Sequence, residues 1–296
     1  MFKNLDPSAL GASGHQSEII ELALTYGFRG LDLNVVEFAG RIKAQGAQYA
    51  RRLLDSAKLR LGAFTLPIEW DVDDDAFRRE LEKLPELARI AADAGCKRCV
   101  CAVAPAGDKR PYHESFEFHK RRFVEICGAM EPAGVRLGVG FRAAEGLRGG
   151  RAFQFIHDLD ALLLLLNMVG MPNVGLMIDV WDLWLAGGSV DNIRALSAQQ
   201  IVAVQLADLP ADVPPAELTD QHRLVPGATG KIDCAAVLAV LAELGYDGPV
   251  TIKADRSAFA GTRRDQIVKQ AGDAMNRLWK AAGLTPDGKL ASAAGR

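Results

Sequence analysis

Short apolar runs alternate along this chain with longer stretches in which apolar residues recur every three or four positions. The short runs predict strands and the longer ones amphipathic helices. Strand candidates are an initial one near Ala9 to Ser13, then Gly30 to Val35, Leu59 to Leu66, Cys96 to Ala104, Val135 to Phe141, Asn173 to Val180, Ile201 to Asp208 and Gly248 to Asp255. Helix candidates follow each in turn: Gln16 to Gly27, Arg41 to Lys58, Asp73 to Ala94, Phe116 to Met130, His157 to Val169, Asp191 to Ser197, Asp233 to Leu244 and Arg263 to Ala282. Eight βα units at a spacing of roughly 30 residues predict an α/β fold, the closed (β/α)8 or TIM barrel. A doubly wound open sheet is the competitor, but no GxGxxG separates the first strand from its helix. One barrel over 1–283 is expected, with the Gly/Ala/Ser-rich segment 284–296 as a flexible tail.

Composition narrows the setting. Hydrophobic residues make up 49% of the 296, charged residues 24%, and the net charge is -2. That balance offers nucleic acid or a membrane surface no electrostatic attraction, so neither is expected as a partner. Met1 to Leu10 has no apolar core of a signal peptide, and the run Ala161 to Leu166 is far short of the ~20 residues that span a bilayer. A cytoplasmic location is expected, with the five cysteines as thiols. Cys96, Cys99 and Cys101 lack a second Cys/His pair at zinc-binding spacing, so buried thiols are the expectation there.

A barrel of this kind forms its site at the C-terminal ends of its strands, where side chains alternate between interior and helix layer. In NVGLMID, Val174, Leu176 and Ile178 form the outward face, leaving Gly175, Met177 and Asp179 inside. In the next strand Val202, Val204 and Leu206 are assigned outward and Ala203 and Gln205 inward. In the last, Val250 and Ile252 face out and Thr251 and Lys253 face in. Leu137 and Val139 face out, with Gly138 and Gly140 in. Asp179, Gln205 and Lys253 thus reach the mouth at matching depth. They are either polar plugs or the floor of a pocket, and the default site of the fold favours the pocket.

At these residues the sequence resembles the xylose isomerase-like sugar-phosphate isomerase/epimerase family. The resemblance is carried by YGFRGLDLN (Tyr26 to Asn34), RLGAFTLPIEW (Arg60 to Trp70), GVRLGVGF (Gly134 to Phe141), NVGLMIDVWD (Asn173 to Asp182), VQLADLP (Val204 to Pro210), RLVPGATGKID (Arg223 to Asp233) and GYDGPVTIKA (Gly245 to Ala254). It implies a divalent metal held by two glutamates, an aspartate and a histidine. The aspartate matches Asp179; the other three positions match Gly140, Gln205 and Lys253. A histidine that often follows the aspartate matches Asp182, and an arginine near the substrate matches Arg223.

Gly140 offers no ligand, Gln205 only a neutral amide, and Lys253 a positive charge. Two like charges at ~4 Å repel by ~4 kcal/mol at an effective dielectric of 20, and a hard divalent ion wants several oxygens. No Mn, Mg or Zn is therefore expected. Instead the Lys253 ammonium is expected to take the metal's place beside Asp179, with Gly138 and Gly140 leaving room for its stem.

The resemblance implies isomerase or epimerase chemistry, with Lys253, Asp179 and Asp182 as catalytic candidates. Gln205, Asp208, Arg223, Glu69 and His113 are the substrate-binding candidates, with His222 nearby. Each histidine reads better as a solvated loop residue, and Asp208 reads equally as a loop anchor. Trp70, Trp181 and Trp184 fit either a pocket or the barrel wall. The functions weighed are a barrel that binds a small sugar or polyol, a metal-independent isomerase with a rearranged acid/base set, a Schiff-base enzyme on Lys253, and a non-catalytic scaffold. A homo-oligomer remains open.

Overall fold

Strand β1, Phe2–Leu5, is only four residues long and carries the polar Lys3 and Asn4. It nevertheless pairs in parallel with both β2, Gly30–Leu31, and the last strand β8, Pro249–Ile252. The computed structural model describes residues 1–291. Between these ends run β3 in two pieces (Arg60–Leu61 and Phe64–Thr65), β4 (Arg98–Val103), β5 (Arg136–Phe141), β6 (Val174–Asp179) and β7 (Ile201–Leu206). The first piece of β3 pairs with β2 and the second with β4. Gly62 and Ala63 carry the chain from one neighbour to the other, and the sheet closes into a (β/α)8 barrel. Helices between the strands bury their apolar faces against the outward side chains, such as Leu137, Val139 and Val204.

The pattern misplaces the first strand. Ala9 to Ser13 lies in turns, and β1 sits seven residues earlier. Two helices expected as continuous are broken. Arg41 to Lys58 falls into Val35–Gln45 and Ala47–Ala57, because Gly46 at φ 85° ends one helix and opens the next. Asp73 to Ala94 falls into Asp74–Leu81 and Leu84–Asp93, where Pro85 enters at the first turn of the second helix.

Inside the barrel, Ala63, Val100, Met177 and Ala203 form a small apolar plug. Val202 departs from its assignment. The β6–β7 register slips between Ile201 and Ala203, and this bulge turns Val202 inward over Gly138 and Gly175. A Cβ on Gly138 would lie 2.9 Å from the Val202 Cβ, so the small residue there accommodates valine.

Of the expected tail, 284–291 folds back instead of fraying. Leu284 and Leu290 form an antiparallel bridge, and the Ala291 N–H donates to the Gly283 carbonyl at 3.0 Å. The rest, 292–296, lies outside the described residues. No helix among the described residues is long and apolar enough to cross a membrane. Cys96, Cys99, Cys127 and Cys234 are buried, Cys101 is half-buried, and all five are free thiols.

Candidate functional site

Strand register sets the depth of each polar residue. Gln205 is level with Asp179 on one side and with Thr251 on the other, and Thr251 is level with Asn4. Lys253 comes two residues later, so its backbone lies one inward-facing layer nearer the mouth than Asp179. The three expected mouth residues therefore do not share one depth. The lysine's long stem makes up the difference: its Nζ lies 3.5 Å from Asp179 Oδ2.

The ion pair anticipated between Lys253 and Asp179 is present, but the nearer partner of Asp179 is Arg223. Its Nη1 donates to both carboxylate oxygens, at 3.0 and 2.8 Å. Nη2 donates to Asp182 Oδ2 at 2.6 Å and Nε to Asp220 Oδ1 at 2.8 Å. The guanidinium is thus filled on every edge and is stacked over the buried Trp181 ring at 4.2 Å. Arg142 completes the network, 3.4 Å from Asp182 and bonded to Asp220. Three carboxylates and three cations balance one another.

Burial alone would raise the Asp179 carboxyl, but the charges of Arg223 and Lys253 overcome it and hold the group down at about 2. Asp182 goes the other way, up to about 6, through burial and the charge of Asp179 against the pull of Arg223 and Arg142. Asp182 is wholly buried and also takes the Ala143 N–H at 2.8 Å. Of the catalytic candidates, only Lys253 keeps solvent access, with 31% of its side chain exposed.

The space beside Gly140 belongs to Met177, not to the lysine stem. A Cβ on Gly140 would stand 2.5 Å from Met177 Cε. Gln205 keeps a buried Oε1 with no hydrogen-bond partner among the described residues. At the four positions matched to metal ligands there are thus a glycine, an amide, an ammonium and a carboxylate already engaged by a guanidinium. One carboxylate so engaged and one amide oxygen fall short of the several oxygen ligands a hard divalent cation takes, so this donor set does not fit one.

The other candidates scatter. Asp208 is a loop anchor: its Oδ1 accepts from the N–H groups of Leu209 (2.8 Å) and Ile232 (3.0 Å), and its Oδ2 from Thr229 (2.9 Å) and Gly230 (2.8 Å). No lone pair is left for a ligand. Arg223 is sealed by carboxylates and does not reach into the mouth as a substrate anchor. Glu69 is exposed, and His113 is solvated, with 82% of its side chain exposed. His222 takes the Thr219 N–H on its own Nδ1 at 3.0 Å. Trp70 packs edge-on to the buried His119, centroids 5.2 Å apart.

A feature missed in the sequence stands across the mouth from this network. A cavity of about 530 Å³ opens over the ends of β1, β2 and β3, lined among others by Asp6, Asp32, Asn34, Gln16 and Thr65. Its volume falls in the ~300–1,000 Å³ range of small-molecule sites. Asp6 and Asp32 each follow the last residue of their strand, and Leu5 is level with Leu31, so the two carboxylates stand side by side. Burial raises both; the charge of Asp6 lifts Asp32 further, to about 8, while Lys253 draws Asp6 down. With the first strand placed at Ala9 to Ser13, Asp6 falls ahead of it and not at a strand end. The usable signal was the pair of strand-ending aspartates in NLD and GLD.

Comparison with known proteins gives the lineage. An inosose isomerase of Bacillus velezensis is 23% identical over 199 residues, 67% of this chain and 68% of that protein. Inosose isomerases of Bacillus subtilis and Halalkalibacterium halodurans match over only half of their own length, 50% each. A xylose isomerase domain protein from Alicyclobacillus acidocaldarius superposes with a TM-score of 0.86 at 24% identity, covering 95% of this chain and 99% of that one. The IOLI protein with a binding zinc atom superposes at 0.78 and 17% identity, covering 96% and 98%. The family described as xylose isomerase-like TIM barrel matches residues 20–278, and this chain belongs to it.

Proposed function

We propose that the chain binds a polyhydroxylated ketone, a sugar or cyclitol of the inosose class, at the C-terminal mouth of the barrel without a divalent ion. The observation that carries this reading is the fork of Arg223 on both oxygens of Asp179, with the Lys253 ammonium 3.5 Å away. A metal at Asp179 would have to displace a buried guanidinium and approach an ammonium, two repulsions that grow as water is excluded. The positive charge that a divalent ion supplies in a polyol site is supplied here by fixed side chains. Carboxylates and amides such as Asp6, Asp32 and Gln205 accept and donate the hydrogen bonds that hydroxyl groups need. That the named relatives are inosose isomerases favours a ligand of this size and polarity.

A metal-independent isomerase is the second reading. The carboxylate pair Asp6–Asp32 favours it over a purely binding role. Schiff-base chemistry is disfavoured, because the Lys253 Nζ is already engaged by Asp179 Oδ2 at 3.5 Å.

The test is ligand-induced thermal stabilisation with an inosose, D-psicose and L-ribulose, each in chelator-treated buffer and again with zinc or manganese. A shift for at least one ketone that is unchanged by metal is the expected result. A shift that appears only when metal is added would overturn the reading.

A further inference from the structure

We infer that Asp6 and Asp32 are the acid–base pair that moves a proton on the bound ketone. The inference rests on the reading above that a polyhydroxylated ketone occupies the mouth.

The two residues are built unlike the structural carboxylates of the same barrel. Asp208 spends all its acceptor positions on four backbone N–H groups, and Asp179 and Asp182 spend theirs on arginines and backbone. Asp32 is held by one oxygen only: Oδ1 accepts from Asn4 Nδ2 at 2.7 Å and from the Ala63 N–H at 2.7 Å. Asp6 is likewise held through Oδ1, by the N–H groups of Ser8 at 2.9 Å and Ala9 at 3.2 Å. Each Oδ2 has no hydrogen-bond partner among the described residues, and both residues line the cavity. Orientation fixed at one oxygen, with the other left for a ligand, is how a carboxylate is presented for chemistry.

A second observation comes from beneath the pair. Asn4 is wholly buried in the barrel, where its Nδ2 is shared between Asp32 and Thr251 Oγ1 at 2.9 Å, and its Oδ1 has no partner. A Cβ on Gly62 would collide with Asn4 Oδ1, and one on Gly30 would collide with the Phe2 ring and stand 2.7 Å from Asn4 Oδ1, so Gly62 leaves room for Asn4 and Gly30 leaves room for Asn4 and Phe2 together. A buried amide left half-satisfied costs stability. Here it buys the position of the Asp32 carboxyl.

Two adjacent carboxyls in a partly dry site do not both ionise, so one holds a proton while its neighbour is free. The environments separate them: Asp32 lies deeper, and Asp6 feels the charge of Lys253. The ionised carboxylate of Asp6 takes the proton from the carbon beside the carbonyl. The C–H electron pair becomes the C=C bond, the carbonyl π pair moves to oxygen, and that oxygen takes the proton of Asp32. Asp6 then returns its proton to the former carbonyl carbon while the carboxylate of Asp32 takes the proton of the other enediol hydroxyl, which gives the isomer and restores both carboxyls to their starting states. Atoms and electrons balance without an oxidant or reductant. Lys253 supplies positive charge near the pair while negative charge builds on that oxygen during the transfer.

The experiment follows deuterium uptake from D2O at the carbon beside the carbonyl, by NMR, with an inosose, D-psicose and L-ribulose. Wild type is compared with Asp6→Asn and Asp32→Asn, each checked for folding by circular dichroism and for ligand-induced thermal shift. Exchange by the wild type, falling by about 10²-fold or more in each variant with the thermal shift retained, is the expected result. Should one variant not fold, the other carries the comparison. A thermal shift without exchange in the wild type, or exchange in the variants within about threefold of it, overturns the acid–base assignment alone. If no ketone shifts the wild type, the binding reading falls and takes this inference with it.

Discussion

Replacing Arg223 by methionine removes the one cation that serves two buried carboxylates at once. The side chains of Asp179 and Asp182 are 3% and 1% exposed, so water does not substitute for the lost guanidinium. Breaking a buried ion pair by removing one partner costs ~3–5 kcal/mol. Lys253 at 3.5 Å from Asp179 and Arg142 at 3.4 Å from Asp182 remain and offset part of this. Asp220, 44% exposed, adds less than ~1 kcal/mol. The lower end, ~3 kcal/mol at pH 8, is therefore expected, a fall in melting temperature of ~6–12 °C for a domain of this size.

The pH dependence identifies the cause. In the wild type Asp179 titrates at about 2, below its ordinary 3.8, so it contributes stability that is present above pH 3.8 and lost as pH falls toward 2. Asp182, at about 6 in the wild type against 3.8 unfolded, already costs stability as pH rises through that window; removing Arg223 takes away a charge that lowers both carboxyls, so both are expected to rise and the variant to lose more stability as pH rises. The gap between the two proteins must widen from pH 5 to pH 8 in urea unfolding. A deficit equal at both pH values, or below ~1 kcal/mol at pH 8, would refute the reasoning. Arg223→Lys, which keeps the charge but not the three-edged fork, should recover only part of the loss.

Two other perturbations have defined outcomes. Asp208→Asn turns an amide N–H toward the N–H groups of Thr229 and Gly230, at a cost of ~1–3 kcal/mol; limited proteolysis should then cut within 209–232, and wild-type resistance there would count against the anchor. Asp32→Asn should stabilise the protein at neutral pH. The folded carboxyl titrates at about 8 against 3.8 unfolded, so stability is lost as pH rises through that window, and the amide removes the penalty. A melting temperature raised by several degrees at pH 7.5 and unchanged at pH 4 is expected; a fall at pH 7.5 would contradict it.

Much of this was legible in the chain. Seven of the eight strands fall within the short apolar runs, and period-two alternation places Met177, Ala203, Gln205 and Thr251 inside the barrel correctly. The misses have local physical causes. Strand β1 carries Lys3 and an inward Asn4, so it lacks an apolar signature and pairs on the strength of its neighbours. The bulge at Val202 reverses one residue because an added residue in a strand leaves no mark on its composition. Lys253 beside Asp179 could be anticipated from the matched positions. The dominance of Arg223 could not, because it arrives from a loop 44 residues further on whose path depends on the four N–H bonds to Asp208. Asp6 and Asp32 become neighbours only once β1 is correctly placed.

The claim on which the account rests is that fixed cations fill the place of a divalent ion beside Asp179. Titration calorimetry of chelator-stripped protein with zinc and with manganese at pH 7.5 tests it most directly. The account predicts no saturable binding that depends on Asp179. One equivalent of either metal bound tightly by the wild type, and lost in Asp179→Asn, would contradict it.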